Sequence, residues 1–259
     1  MKPILRPLSL ALLSLALTFA AAAGRADDAR CFEMRTYYAA PGKLDALLAR
    51  FRDYTCKNFE KHGMTNIGYW LPLENSGNKL VYVLAFPSRE AAKASWKAFM
   101  DDPERQAYFK KTEENGKLVD KIESVFLKTT DFSPEVKPCC AAAPRTFELR
   151  TYTATPKNLP NLLARFRDHT VRLFAKRGIT NVAYWTPTDS KQGADNTLIY
   201  IVAHKSKDAA AESWKAFRAN PEWVKVKADS EKAAGGPLTL KEGGVKSIFM
   251  QPTDFSPMK

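Results

Sequence analysis

Phe32-Glu33-Met34-Arg35-Thr36-Tyr37 returns as Phe147-Glu148-Leu149-Arg150-Thr151-Tyr152, 115 positions later. This repetition decides the fold, because a long matched repeat means one structural unit built twice. The same offset carries Leu47 to Asp53 onto Leu162 to Asp168, and Gly63 to Trp70 onto Gly178 to Trp185. After a short insertion, Leu80-Val81-Tyr82-Val83 matches Leu198-Ile199-Tyr200-Ile201, and Ser95 to Phe99 matches Ser213 to Phe217. Thr130-Asp131-Phe132-Ser133-Pro134 returns as Thr253 to Pro257, the second copy having gained more residues in the Gly-rich stretch Gly235 to Gly244. The organisation read from this is repeat 1 over residues 31–134, a linker over 135–144 and repeat 2 over 145–257.

Each repeat reads as strand, helix, strand, strand, helix, strand. Residues 31–38 alternate, with Phe32, Met34 and Thr36 on one face and Glu33, Arg35 and Tyr37 on the other. Pro41-Gly42 turns the chain, and Leu44, Leu47, Leu48, Phe51, Thr55 and Phe59 follow at helical spacing until Gly63 stops the helix. Residues 65–71 and 79–86 are strand-like around an Asn-Ser-Gly-Asn turn, and the second is apolar enough to be buried on both faces. A second helical stretch starts near Ser88 and restarts at Pro103, before a last strand over Ile122 to Leu127. The order βαββαβ is the ferredoxin-like plan. Helices cover one face of such a sheet, so the other apolar face needs a partner, and the tethered second copy supplies one. The expectation is an α+β chain of two tandem repeats packed sheet to sheet as an intramolecular barrel.

The N-terminus carries Lys2 and Arg6, an uncharged run from Leu8 to Ala23, and small residues before Asp27-Asp28. That pattern predicts a signal peptide over residues 1–26, cut after Ala23 or Ala26, and an exported protein, periplasmic or secreted. The rival, a permanent anchor, needs about 20 apolar residues; no stable membrane insertion is expected after cleavage. Net charge is +12, and losing Lys2, Arg6 and Arg25 with the leader leaves 12 − 3 = +9. The cations are spread among acids, as in Lys110-Lys111-Thr112-Glu113-Glu114, and read as a solvated surface rather than a nucleic-acid footprint. Cys31, Cys56, Cys139 and Cys140 are expected to form disulfides in an oxidising compartment, with the pairing open. Their spacing lacks the paired short intervals of a structural zinc site, so no metal is expected.

Glu33-x-Arg35-Thr36-Tyr37, Pro41-Gly42, Gly63 to Gly68-Tyr69-Trp70, the Leu80 to Phe86 strand, and Trp96-x-x-Phe99 before Asp102-Pro103-Glu104 together resemble the NIPSNAP family. The second copy supplies Glu148-x-Arg150-Thr151-Tyr152, Gly178, Tyr184-Trp185 and Asn220-Pro221-Glu222-Trp223, so the resemblance covers nearly all of both repeats. It implies the dimeric α/β-barrel superfamily, whose members include cofactor-free monooxygenases, haem-degrading enzymes and isomerases alongside proteins with no known reaction. NIPSNAP proteins have no settled activity. The second copy departs from the pattern where Pro156-Lys157 replaces Pro41-Gly42 and Arg177 replaces His62.

Common catalytic signatures are absent: the chain has no phosphate loop, dinucleotide fingerprint, HExxH helix or GxSxG elbow. The duplicated polar sets Glu33, Arg35, Tyr37 and Glu148, Arg150, Tyr152 are the leading ligand-binding candidates. In a cleft, Arg can hold a carboxylate or carbonyl oxygen while Tyr donates a hydrogen bond; inside the barrel, Glu and Arg would simply pair across the seam. His62 is a second candidate, although a cation at the end of the first helix also suits the helix dipole. Trp70 and Trp185 are candidates for an aromatic wall, against the competing reading that large aromatics at strand spacing are core. The functional expectation is a binder of a small hydrophobic or aromatic ligand, or an interaction module, with no cofactor and with further homo-oligomerisation open. The rival is a cofactor-independent monooxygenase or isomerase in which Arg35 orients substrate and Tyr37 or His62 handles a proton. Haem bound through His62 is a third reading.

Overall fold

The computed structural model describes residues 28–139 and 145–259. The expected signal peptide and Cys140 lie outside the described residues. Repeat 1 runs β1 (Cys31–Ala39), α1 (Leu44–Arg50), a π-helical turn (Phe51–Thr55), α2 (Cys56–Lys61), β2 (Thr65–Pro72), β3 (Lys79–Phe86), α3 (Arg89–Asp101), α4 (Pro103–Thr112) and β4 (Val119–Thr129). Repeat 2 follows with β5 (Thr146–Thr153), α5 (Leu159–Arg165), a π-helical turn (Phe166–Thr170), α6 (Val171–Ala175), β6 (Thr180–Pro187), β7 (Thr197–His204), α7 (Lys207–Arg218), α8 (Pro221–Ala233) and β8 (Val245–Pro252). Among the described residues, no helix is long and apolar enough to cross a membrane.

The glycine signals at Gly42 and Gly63 act as read. Gly63 and Gly178 end the first helical segment of each repeat at φ of 76° and 73°. Gly42, at φ 71°, turns the chain after β1, and Lys157 in the second repeat holds the same left-handed backbone at 66° despite its side chain. Ser88 and Ser206 cap α3 and α7, each hydroxyl accepting from a backbone N–H three residues on. Asp102 and Asn220 cap α4 and α8, with proline at the first helical position. The helix expected to run unbroken to Gly63 instead carries the π-helical turn, a single-turn insertion common at functional sites.

The eight strands close one antiparallel barrel in the order β1-β3-β2-β8-β5-β7-β6-β4. Within a repeat the strands pair along most of their length, and the repeats join through two short seams, β2 with β8 and β4 with β6. Alternation sorts β1 as expected: Phe32 and Met34 point into the barrel, Cys31 toward the helices. Interior side chains come from both copies, and Phe32 meets Trp185 at 6.0 Å while Trp70 meets Phe147 at 5.6 Å between ring centroids. Val136, in the segment read as a linker, and Met258 are buried in this same interior cluster.

The copies also exchange their tails. Phe132 of repeat 1 packs on Phe166 and Tyr184 of repeat 2, and Phe255 of repeat 2 packs on Phe51 and Tyr69 of repeat 1. Ser133 Oγ accepts from the Tyr184 N–H at 3.1 Å, and Ser256 Oγ accepts from the Tyr69 N–H at 2.9 Å. Arg167 pairs with Asp131 and Arg52 with Asp254 across the same junctions.

The expected disulfides are not found among the described residues, where Cys31, Cys56 and Cys139 are free thiols. The side chains of Cys31 and Cys56 lie under the helices, whereas Cys139 packs against the barrel interior, so the sheet separates it from the other two. Burial pushes the Cys56 thiol up to about 12.

Candidate functional site

Glu33, Arg35 and Tyr37 face outward from β1, beneath the helices rather than in the barrel, and Glu148, Arg150 and Tyr152 do the same on β5. In repeat 1, Glu33 is buried and its carboxylate accepts from Arg35 Nη1 at 2.8 Å, Trp96 Nε1 at 2.6 Å and Ser124 Oγ at 2.5 Å. The Arg35 guanidinium lies over the Trp96 ring, 4.2 Å from its centroid, and near Tyr37 at 5.6 Å. Burial alone would lower the Arg35 pKa, but Tyr82, Tyr37 and Glu33 outweigh it and raise it.

Repeat 2 copies this cluster and adds to it. Glu148 accepts from Arg150, from Trp214 Nε1 at 2.7 Å and from Ser247 Oγ at 2.6 Å, and His204 Nε2 lies 3.1 Å from its second oxygen. Arg150 Nη2 donates to the Tyr152 hydroxyl at 3.2 Å. Burial would raise the Glu148 carboxyl, yet His204, Arg150, Ser247 and Trp214 together hold it down to about 2.

Each cluster forms one wall of a cleft between sheet and helices. The repeat 1 cleft, of about 360 Å³, is bounded by Arg35, Tyr37, Arg50, Trp96, Arg105 and Phe109 among others. The repeat 2 cleft reaches about 580 Å³ and is bounded by Arg150, Tyr152, Arg165, Trp214, Trp223 and Lys227 among others. The inserted Gly-rich segment contributes Leu240, Lys241 and Gly243 to its wall.

The other candidates go elsewhere. Trp70 and Trp185 are fully buried in the barrel interior, apart from both clefts. His62 sits at the C-terminus of α2, 2.9 Å from Asp102 Oδ2, in a network with Asn58 and Lys61 that ties α2 to the start of α4. It lies outside the cleft lining. Among the described residues, no group of three or more His, Cys, Asp or Glu side chains is placed to hold a metal ion.

The structure adds residues that the sequence reading passed over. Arg50 and Arg165 sit on the buried face of the first helix of each repeat, 3% and 6% exposed. The signal was present: Leu47, Arg50 and Phe51 share one helical face, so a duplicated arginine falls within an apolar stripe. Arg50 Nη1 donates to Glu113 Oε1 at 2.8 Å, while Arg165 reaches Ser230 and Glu231 only at 3.5 Å. Polar atoms are left over here: Nε of Arg35, Arg50 and Arg105 and Oγ1 of Thr55 are buried in the repeat 1 cleft wall without a hydrogen-bond partner, as are Nε of Arg150 and Arg165 in repeat 2. Buried polar groups are normally satisfied, so such a concentration needs an explanation.

Two ferredoxin-like repeats closing one eight-stranded barrel, each with a helix-covered cleft, define a dimeric α/β barrel fused into a single chain. The NIPSNAP family model matches residues 32–134 and 147–257, and the chain belongs to this family. No curated protein matches the chain. Among solved structures, it is similar to an uncharacterized NIPSNAP domain protein from Burkholderia xenovorans, with 25% identity, 40% of this chain and 99% of that one covered, and a TM-score of 0.36. An anthrone oxidase-like protein is 12% identical over 90% of this chain and 95% of its own, with a TM-score of 0.53. A putative monooxygenase from Lactobacillus acidophilus is 9% identical over 88% of this chain and 98% of its own, with a TM-score of 0.52.

Proposed function

We propose that this is an exported protein that binds a small hydrophobic or aromatic molecule in the helix-covered cleft of each repeat. The carrying observation is that the same Glu–Arg–Trp cluster recurs in both copies, each time at an aromatic-walled cleft and each time with the arginine Nε unpartnered. An apolar cavity with a few converging polar groups is the usual form of a ligand site. The buried glutamate acts as a positioning group: it spends its acceptors on Trp, Ser and Arg and so fixes the guanidinium against the cleft.

Native mass spectrometry of the protein from the exported fraction of its host is expected to show an added small-molecule mass that is lost on denaturation. Arg35→Ala combined with Arg150→Ala is expected to weaken retention about tenfold or more, the effect of removing charged hydrogen bonds. A protein that carries no such mass, and takes up none from a panel of aromatic compounds, would sink this reading in favour of an interaction module.

A second reading places turnover in the same cleft, as cofactor-independent oxygenation or isomerisation. Its support is the Arg150–Tyr152 hydrogen bond, which sets a phenol beside a cation in the larger cleft, and the likeness in fold to a monooxygenase-like and an anthrone oxidase-like protein. Here Arg150 would orient the substrate and Tyr152 hold the proton. Retention of the bound compound unchanged in air, with no oxygen uptake or isomer formed, argues against it.

A further inference from the structure

The charges around the two clefts do not balance. Among the residues bounding the repeat 1 cleft are Arg35, Arg50 and Arg105, and none is acidic. Glu33 answers Arg35 and Glu113 answers Arg50, whereas Arg105 forms no salt bridge among the described residues and feels Glu113 only at longer range. Arg50 and Arg105 both lie over the same Phe109 ring, their guanidinium carbons 4.1 and 4.0 Å from its centroid. Two cations gathered on one ring in a partly buried wall repel each other, and burial together with Arg50 lowers the Arg105 pKa against the opposing pull of Tyr37, Glu113 and Tyr54.

Repeat 2 reaches the same composition by a different route. Counting from the shared proline, Arg105 and Phe109 of α4 correspond to Trp223 and Lys227 of α8. The cation and the aromatic have exchanged places one helical turn apart, and each cleft keeps one of each. Met100 corresponds to Arg218, which with Lys241 brings further cations to the larger cleft against the one acid that lines it, Glu231. Packing alone does not require a cation to be retained at either position.

We infer that both clefts select organic acids: the aromatic walls take an apolar body, and its carboxylate meets the unpaired cation of α4 or α8 beside the buried first-helix arginine. This deepens the cleft-binding reading and rests on it. The orphan Nε atoms of Arg50 and Arg165 are then donors awaiting an acceptor, and a carboxylate is an acceptor that suits a guanidinium geometrically.

The test is a calorimetric titration of the full protein with naphthoate and with naphthylmethanol, which differ in charge at nearly equal size. Naphthoate is expected to bind about tenfold tighter, with the preference weakening as salt is raised. In the variant carrying Arg105→Gln and Lys227→Gln, checked for unchanged thermal unfolding, the preference is expected to shrink to about twofold or less. Equal affinity for the two probes would overturn the organic-acid inference while leaving the cleft-binding reading intact. Saturation by neither probe would overturn both. A preference undiminished in the double variant would overturn the assignment of the carboxylate to the α4 and α8 cations.

Discussion

Glu148→Ala is expected to lower the unfolding free energy by about 3–5 kcal/mol, the cost of stripping the partner from a buried charge. Glu148 is 1% exposed and holds Arg150, Trp214, Ser247 and His204 at once, so its loss strips an acceptor from four groups beneath the helices of repeat 2. The effect extends to acid. With its carboxyl at about 2 when folded against a usual value of 4.5, Glu148 binds fewer protons in the folded than in the unfolded chain between those limits. Its stabilisation is therefore fully present above pH 4.5 and is lost as pH falls through about 2, amounting to about 3 kcal/mol over the window. Urea unfolding at neutral pH and along an acid series measures both effects, with Glu148→Gln expected to flatten the acid slope. Should the alanine variant remain within about 1 kcal/mol of the parent, Glu148 is not the buried anchor described. Glu33→Ala is expected to cost less, because Phe86 stands where repeat 2 has His204 and one fewer polar group is orphaned.

Substitutions in the last residues of the chain are expected to damage the first repeat. Phe255→Ala with Ser256→Ala removes a ring packed on Phe51 and Tyr69 and the hydroxyl that receives the Tyr69 N–H. Lost packing and one lost buried hydrogen bond together are worth about 3 kcal/mol. Hydrogen exchange should show β2 of repeat 1 losing protection while β6 of repeat 2 keeps its own. Phe132→Ala with Ser133→Ala should give the reverse pattern through Tyr184 and Phe166. Protection lost first in β6 of the Phe255 variant would contradict the exchanged tails. Phe51 also lines the repeat 1 cleft, so the repeat 2 tail braces the back of a site it does not belong to.

Much of this was legible in residue order alone. The duplication, the strand alternation that puts Glu33, Arg35 and Tyr37 on one side, the helix start near Ser88 with its restart at Pro103 and the stop at Gly63 depend on neighbours a few residues apart, and local chemistry specifies them. The pairing of the repeats was also implied, since a sheet with one uncovered apolar face demands a partner. Alternation says which side chains share a side; it does not say what covers that side. That was settled by the non-local seams β2–β8 and β4–β6, which close the barrel around Trp70 and Trp185 and leave Glu33 and Arg35 under the helices. The exchanged tails, the meeting of Arg50 with Arg105 on Phe109, and its mirrored counterpart at Trp223 and Lys227 join residues tens of positions apart or compare two distant copies. Such contacts exist only once the chain has closed on itself, because no local propensity specifies which distant surface a helix or tail will meet.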